Sequence, residues 1–191
     1  MSATPHLHAP DEPEHVRSPA VTYVSVPGSG SPGTDEFYRK KALVGDIARH
    51  LNNGAEPVIE IRYWYPAGSI EVEIADFYSV NPIPSLLYRV LAAVPDGTTP
   101  DDLVAARDRV ATSSDGSEDA IALHTIIEQD VVQVMHHGPF AEELATLGRL
   151  GAFARDRGLH RSGPHHELHL DGFTRDTPQD TLRTILRDPV A

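Results

Sequence analysis

Cysteine is absent from the sequence. That excludes disulfides, thiol nucleophiles and cysteine-ligated zinc or iron–sulfur sites. No apolar run reaches the roughly 18 residues of a membrane span, so no membrane partner is expected. The first residues, Met-Ser-Ala-Thr-Pro-His-Leu-His-Ala-Pro, offer neither a basic n-region nor an apolar h-region. They do not read as a secretory signal, and a soluble, cytoplasmic protein is expected. Positive charge is scarce: 16 Lys and Arg against 28 Asp and Glu leave −12, with the 11 histidines counted neutral. A field of that sign disfavours a phosphate backbone and hence a nucleic-acid partner, and suits a cationic ligand. The Gly/Ser/Pro stretch Gly28–Gly33 lacks the Gly-Lys-Ser/Thr ending of a P-loop, and there is no G-x-S-x-G elbow.

The 191 residues suffice for one domain that buries about 70 % of its unfolded surface. Residues 1–20 are rich in proline, histidine and acid, with few large apolar side chains. They read as a flexible tail before a single folded unit over 21–191. Val21–Val26 alternates as a strand. Thr34 is placed to cap a helix carrying Phe37, Val44, Ile47, Ala48 and Leu51 on one face, and Asn53-Gly54 ends it. Val58–Tyr65 and Ile70–Ile74 read as a hairpin about Pro66-Ala-Gly68. Leu86–Val94 is a further strand, and Thr99-Pro100 opens a second helix. A polar linker spans 112–119. Ala120–Ile127 and Val131–His137 read as a second hairpin. A helix follows with Phe140, Leu144, Leu147, Leu150 and Ala154 on one side, then strands over Pro164–Leu170 and Leu182–Arg187. Lys40-Lys41 reads as a solvated helix face.

The halves, about 21–112 and 120–191, run through the same plan. Pro57-Val-Ile-Glu-Ile-Arg-Tyr63 lies over Pro164-His-His-Glu-Leu-His-Leu170, which makes Glu60 the counterpart of Glu167. Pairing two strand–helix–strand modules predicts an α+β fold, a pseudo-symmetric antiparallel sheet with a central ligand groove.

His136-His-Gly-Pro-Phe140 resembles the "hiGPy" opening of the second half of GyrI-like small-molecule-binding proteins. Gly163-Pro-His-His-Glu-Leu-His-Leu170 is similar to their "gkHHEIYL" strand. Leu182-Arg-Thr-Ile-Leu-Arg-Asp-Pro-Val190 resembles their closing "LkTilRqPV", and Val24–Gly33 their "idGkGsPg" loop. The resemblance runs from about Val21 to Val190. It implies two modules around a central groove, with Glu167 in a pocket for cationic, aromatic ligands and no cofactor. It also implies relatives among the drug-sensing domains of multidrug-responsive regulators, and stand-alone members that hydrolyse cyclopropane-bearing DNA-alkylating natural products. Those hydrolases carry a tryptophan-rich "EGLWW" segment, of which Arg62-Tyr-Trp-Tyr65 holds only part. Where the family usually has a tyrosine, this chain has His169.

The residues can be argued individually. On a strand, His165, Glu167 and His169 share one face, and His166, Leu168 and Leu170 the other. A carboxylate on an aromatic-lined wall is desolvated and favours a cation as guest. As a general acid or base it would be the catalytic residue of a hydrolase. The plainer alternative is Glu167 paired with an arginine on a solvated face. His165, Glu167 and His169 have the ligand types of a two-His, one-carboxylate metal centre, but H-x-E-x-H is not HExxH, and no metal is assigned. The candidate ligand-binding set is Glu167, His165, His169, Trp64, Tyr65, Tyr78, Tyr88, Phe140 and Glu60, each aromatic having core packing as its alternative. Three functions follow: binding of a hydrophobic or cationic aromatic small molecule, hydrolysis of a cyclopropanoid electrophile by Glu167, or a gyrase-modulating protein contact.

Overall fold

The computed structural model describes residues 4–111 and 119–191. Most of the linker expected at 112–119 therefore lies outside the described residues.

Eight strands form one antiparallel sheet. They are β1 (Glu14–Ser18), β2 (Val21–Ser29), β3 (Ile59–Trp64), β4 (Leu87–Ala93), β5 (Ala122–Ile126), β6 (Gln129–His137), β7 (His165–His169) and β8 (Arg183–Pro189). The spatial order is β1-β6-β8-β7-β3-β4-β2-β5. Two residues, about 10 Å of chain, join β1 to β2, and two join β5 to β6. Since β1 lies beside β6 and β5 beside β2, these short joints require the sheet to curl until its edges approach, giving a half-barrel.

Three helices pack on it: α1 (Asp35–Leu51), α2 (Pro100–Ala111) and α3 (Glu143–Arg155). Thr34 caps α1 by accepting the Phe37 N–H at 3.3 Å. The main core lies between α1 and the inner face of β2, β3 and β4, around Val26, Ile47, Ile61 and Val90. A second core packs Leu147 and Leu150 of α3 on Val132, Val134 and Leu186.

The two faces differ along every strand. One inner cross-strand row reads Val134, Leu186, Glu167, Ile61, Val90, Val26: five hydrocarbons and one carboxylate. The adjoining outer row reads Glu14, Gln133, Arg187, His166, Arg62, Arg89.

Several expectations are corrected. The expected tail is not one over 4–20: β1 pairs with β6, and the segment before it lies on the outer face. There the His6 carbonyl accepts from Arg187 at 2.8 Å and the His8 carbonyl from Gln133 at 2.9 Å. These contacts give the outer polar row partners that water would otherwise supply. β5 and β6 do not form a hairpin, because each pairs with a strand of another origin. Ile70–Ile74 is not a strand. The Asn81 side chain takes both backbone groups of Ile70, at 3.1 and 2.7 Å, and the chain turns through a 3-10 turn at Ile74–Asp76. Lys40 and Lys41 are buried, not solvated. Lys40 Nζ donates to the Pro27 carbonyl and to Asp119, both at 2.9 Å, and Lys41 Nζ to the Phe173 carbonyl at 2.6 Å.

Candidate functional site

Between the N-terminal ends of α1 and α3 the inner face opens into a cavity of about 480 Å³. Glu167 is on its floor, placed there by the alternation of β7. Tyr63 of β3 and Tyr78 form one wall. Phe140, Phe173 and Tyr38 form another, and Glu143 of α3 closes the base.

Glu167 is 6 % exposed and ringed by donors. The Tyr78 hydroxyl donates to its Oε1 at 2.5 Å. His169 Nε2 lies 3.4 Å from Oε2, and His165 Nε2 3.8 Å from Oε1. Burial pushes the Glu167 pKa up. The hydrogen bond and charge of His169, the charge of His165 and the Tyr78 phenol together outweigh it, so the net shift is downward. Glu143, 5 % exposed, goes the other way: burial and then the neighbouring Glu167 charge raise it well above the carboxylate range. Both causes favour the protonated form of Glu143 beside Glu167. The base of the cavity holds one proton and one negative charge on two carboxyl groups. Glu143 Oε1 and His169 Nδ1 are buried there without a hydrogen-bond partner among the described residues. His169 is clasped by Phe140 and Phe173, with centroids 5.3 and 5.0 Å away.

Lys41 supports the wall from behind. Its ammonium sits over the Phe173 ring, and burial lowers its pKa to about 7.

Of the expected site residues, Glu167, His169, Tyr78 and Phe140 line this cavity. Five do not. His165 is fully buried behind the wall, its Nδ1 2.9 Å from Asp188. Tyr88 is sealed beneath Gly28 and packs on Phe37 and Tyr63. Tyr65 packs on Phe77 and donates to the Asn81 carbonyl at 3.3 Å. Glu60 and Trp64 are on the outer face. Glu60 accepts from Tyr23 at 2.9 Å and lies 2.5 Å from His166 Nδ1. The residue beside Glu167 in β3 is Ile61, so Glu60 is not its counterpart: the repeat is offset by one residue, which reverses the face.

Glu143, Tyr63, Tyr38 and Phe173 were missing from the expected set. For Glu143 the sequence did hold a signal. Glu143, Leu147, Leu150 and Ala154 lie at the spacing of one helical stripe, and all four are buried, while Leu144 is 51 % exposed. Among the described residues, no group of three or more His, Asp or Glu side chains is arranged to hold a metal, and no helix is long and apolar enough to cross a membrane.

No family model matches the chain, and no curated protein matches it. Solved structures do. A hydrolase from Listeria innocua is 22 % identical with a TM-score of 0.75, over 97 % of this chain and 94 % of that one. The C-terminal domain of EcmrR is 13 % identical with a TM-score of 0.62, over 94 % and 97 %. SAV2435, solved bound to tetraphenylphosphonium, is 11 % identical with a TM-score of 0.55, over 94 % of each chain. At these identities the likeness is one of fold.

Proposed function

We propose that this protein is a GyrI-like small-molecule-binding domain. Its inner cavity takes up lipophilic, aromatic, cationic molecules and so sequesters them. The carrying observation is a buried, ionised Glu167 among aromatic rings in a cavity of about 480 Å³. Such a carboxylate has no carboxylate-neutralising lysine or arginine against it among the described residues, and an organic cation supplies that charge while its arms cover the rings. SAV2435 with tetraphenylphosphonium, a protein of this fold holding a molecule of that chemistry, supports the reading. The test is a fluorescence titration with a cationic aromatic dye, wild type beside Glu167→Gln. Saturable micromolar binding, equivalent to about −8 kcal/mol, is expected, weakened tenfold or more by the substitution. No saturable binding by folded wild type, or equal binding by both, overturns it.

A second reading, hydrolysis of a cyclopropane-bearing electrophile, is favoured by the protonated Glu143 beside ionised Glu167. Glu167 would take a proton from water as its oxygen bonds to a ring carbon. The C–C bond would break with its electron pair moving into the ligand, and Glu143 would deliver a proton there. One water is consumed and the pair's proton changes owner. The name of the Listeria hydrolase of this fold accords with it. The check is multiple turnover of such a compound by substoichiometric protein with 18O from water in the product. A single stoichiometric uptake without product leaves the binder and removes the enzyme.

A further inference from the structure

The outer face carries a larger concavity, about 900 Å³, on the side of the sheet opposite Glu167. It lies at the end of the outer polar row. Arg62 of β3 and Arg89 of β4 stand directly opposite each other there, a like-charge pair that destabilises a sheet unless something neutralises it. Arg187, farther along the same row, is satisfied: its Nε donates to Gln133 at 2.8 Å and its Nη2 to the His6 carbonyl at 2.8 Å. Arg62 and Arg89 are not. Among the described residues neither has a carboxylate within 4 Å. Arg62 Nη1 reaches only His124 Nε2, at 2.9 Å, and its Nε is buried with no partner. Arg89 Nη1 donates only to the Ser25 hydroxyl, at 3.1 Å. Glu60, two residues from Arg62 on the same face of β3, is already engaged by His166 and Tyr23.

Two further features complete the site. Arg161 enters the same concavity with its guanidinium fixed, Nε on the Val72 carbonyl at 2.9 Å and Nη1 on the Gly163 carbonyl at 2.7 Å. Trp64, half-buried, lies on the Arg62 face two residues along β3. Acids are confined to Glu71 and Glu73, and Glu73 is occupied by His160 at 3.0 Å and the Arg161 N–H at 3.2 Å. Two of the three arginines, Arg62 and Arg89, thus face the concavity without an ion-paired carboxylate among the described residues, and an external anion would neutralise them.

We propose that this concavity binds a small aromatic carboxylate, its oxygens between Arg62 and Arg89 and its ring against Trp64. Guanidinium pairs suit a planar, two-oxygen anion, and an indole face suits a flat ring. The site is separate from the inner cavity and does not depend on what that cavity binds.

The test is calorimetric titration of the full chain with 2-naphthoate, beside acetate and inorganic phosphate. Saturable naphthoate binding is expected, at least tenfold tighter than either small anion. Arg89→Gln and Trp64→Leu should each weaken it tenfold or more, while Glu167→Gln leaves it unchanged. Circular dichroism confirms that each variant is folded, and Arg62→Lys replaces Arg89→Gln if the latter fails to fold. No saturable binding by the wild type overturns the proposal, as does binding insensitive to both substitutions. Phosphate or acetate binding as tightly as naphthoate overturns the aromatic assignment. Loss of naphthoate binding in Glu167→Gln overturns the location.

Discussion

Glu143 and Glu167 share the base of one cavity, both almost shut off from water, and the Glu167 charge favours the proton on Glu143. The two carboxyl groups together carry one negative charge instead of two, held on Glu167. Glu143→Gln keeps a neutral donor at the same place, so cation affinity should change less than threefold, whereas Glu167→Gln removes the charge. Parallel dye titrations of the two variants check this. Loss of equal size in both would mean the charge is not held on Glu167.

The same pair sets a pH dependence. Glu143 holds its proton in the folded chain above the pH at which the unfolded chain releases it. Between those two points the native state binds more protons, so stability falls as pH rises. Glu143→Gln should flatten that fall. Urea denaturation of wild type and variant at a series of pH values above the ordinary glutamate range reads it directly.

Lys41 bends the profile in the opposite sense. Its pKa drops from the ordinary lysine value of about 10.5 to about 7 in the fold. From about 7 to 10.5 the unfolded state binds more protons, so this residue makes stability rise with pH. Lys41→Met should remove that rise and tighten the fold at pH 7 and below, where the wild type buries a charge. The sequence has only two lysines, Lys40 and Lys41. Amine labelling at pH 8 followed by mass spectrometry should find Lys41 modified once the wall at Phe173 opens.

Trp64 serves as a reporter of which face is occupied. Because it lies across the sheet from Glu167, Trp64→Phe should leave cation affinity within about twofold of the wild type. Its emission should not respond to a non-absorbing cation such as tetramethylammonium. A large loss of affinity would place the cation on the outer face.

Gly151 of α3 fits against the turn at Ile74–Asp76, where a Cβ would come within 2.7 Å of Ala75 Cβ and 2.8 Å of its backbone nitrogen. The backbone cannot yield cheaply, so Gly151→Ala should cost about 1–3 kcal/mol in thermal unfolding. That turn leads into Phe77 and Tyr78, so ligand affinity should fall with it.

The sequence made most strands and all three helices legible, because period and capping are local: Thr34, Pro100 and the Phe37–Leu51 stripe each act within a few residues. The inner placement of Glu167 followed from strand alternation and from the family resemblance together. Errors arose where a local pattern met a distant partner. β1 was unreadable because its company is β6, more than a hundred residues on. Asn81 took the hydrogen bonds that would have made Ile70–Ile74 a strand. The match of Glu60 to Glu167 as repeat counterparts is a one-residue slip, and in a strand one residue is a whole face. Hydrophobicity alone points to Leu144 for the buried stripe, yet Glu143 fills that position, because a carboxyl whose protonated form is favoured can be buried there.

The reciprocal loan of edge strands, β1 to β6 and β5 to β2, has a consequence for biosynthesis. β1 leaves the ribosome well before β6 and must wait for it before its backbone is paired. The first half in turn closes only when β5 arrives from beyond 119. Contacts that span this much chain are slow to form. Until they do, the growing polypeptide presents open sheet edges, so neither half completes its fold without the other.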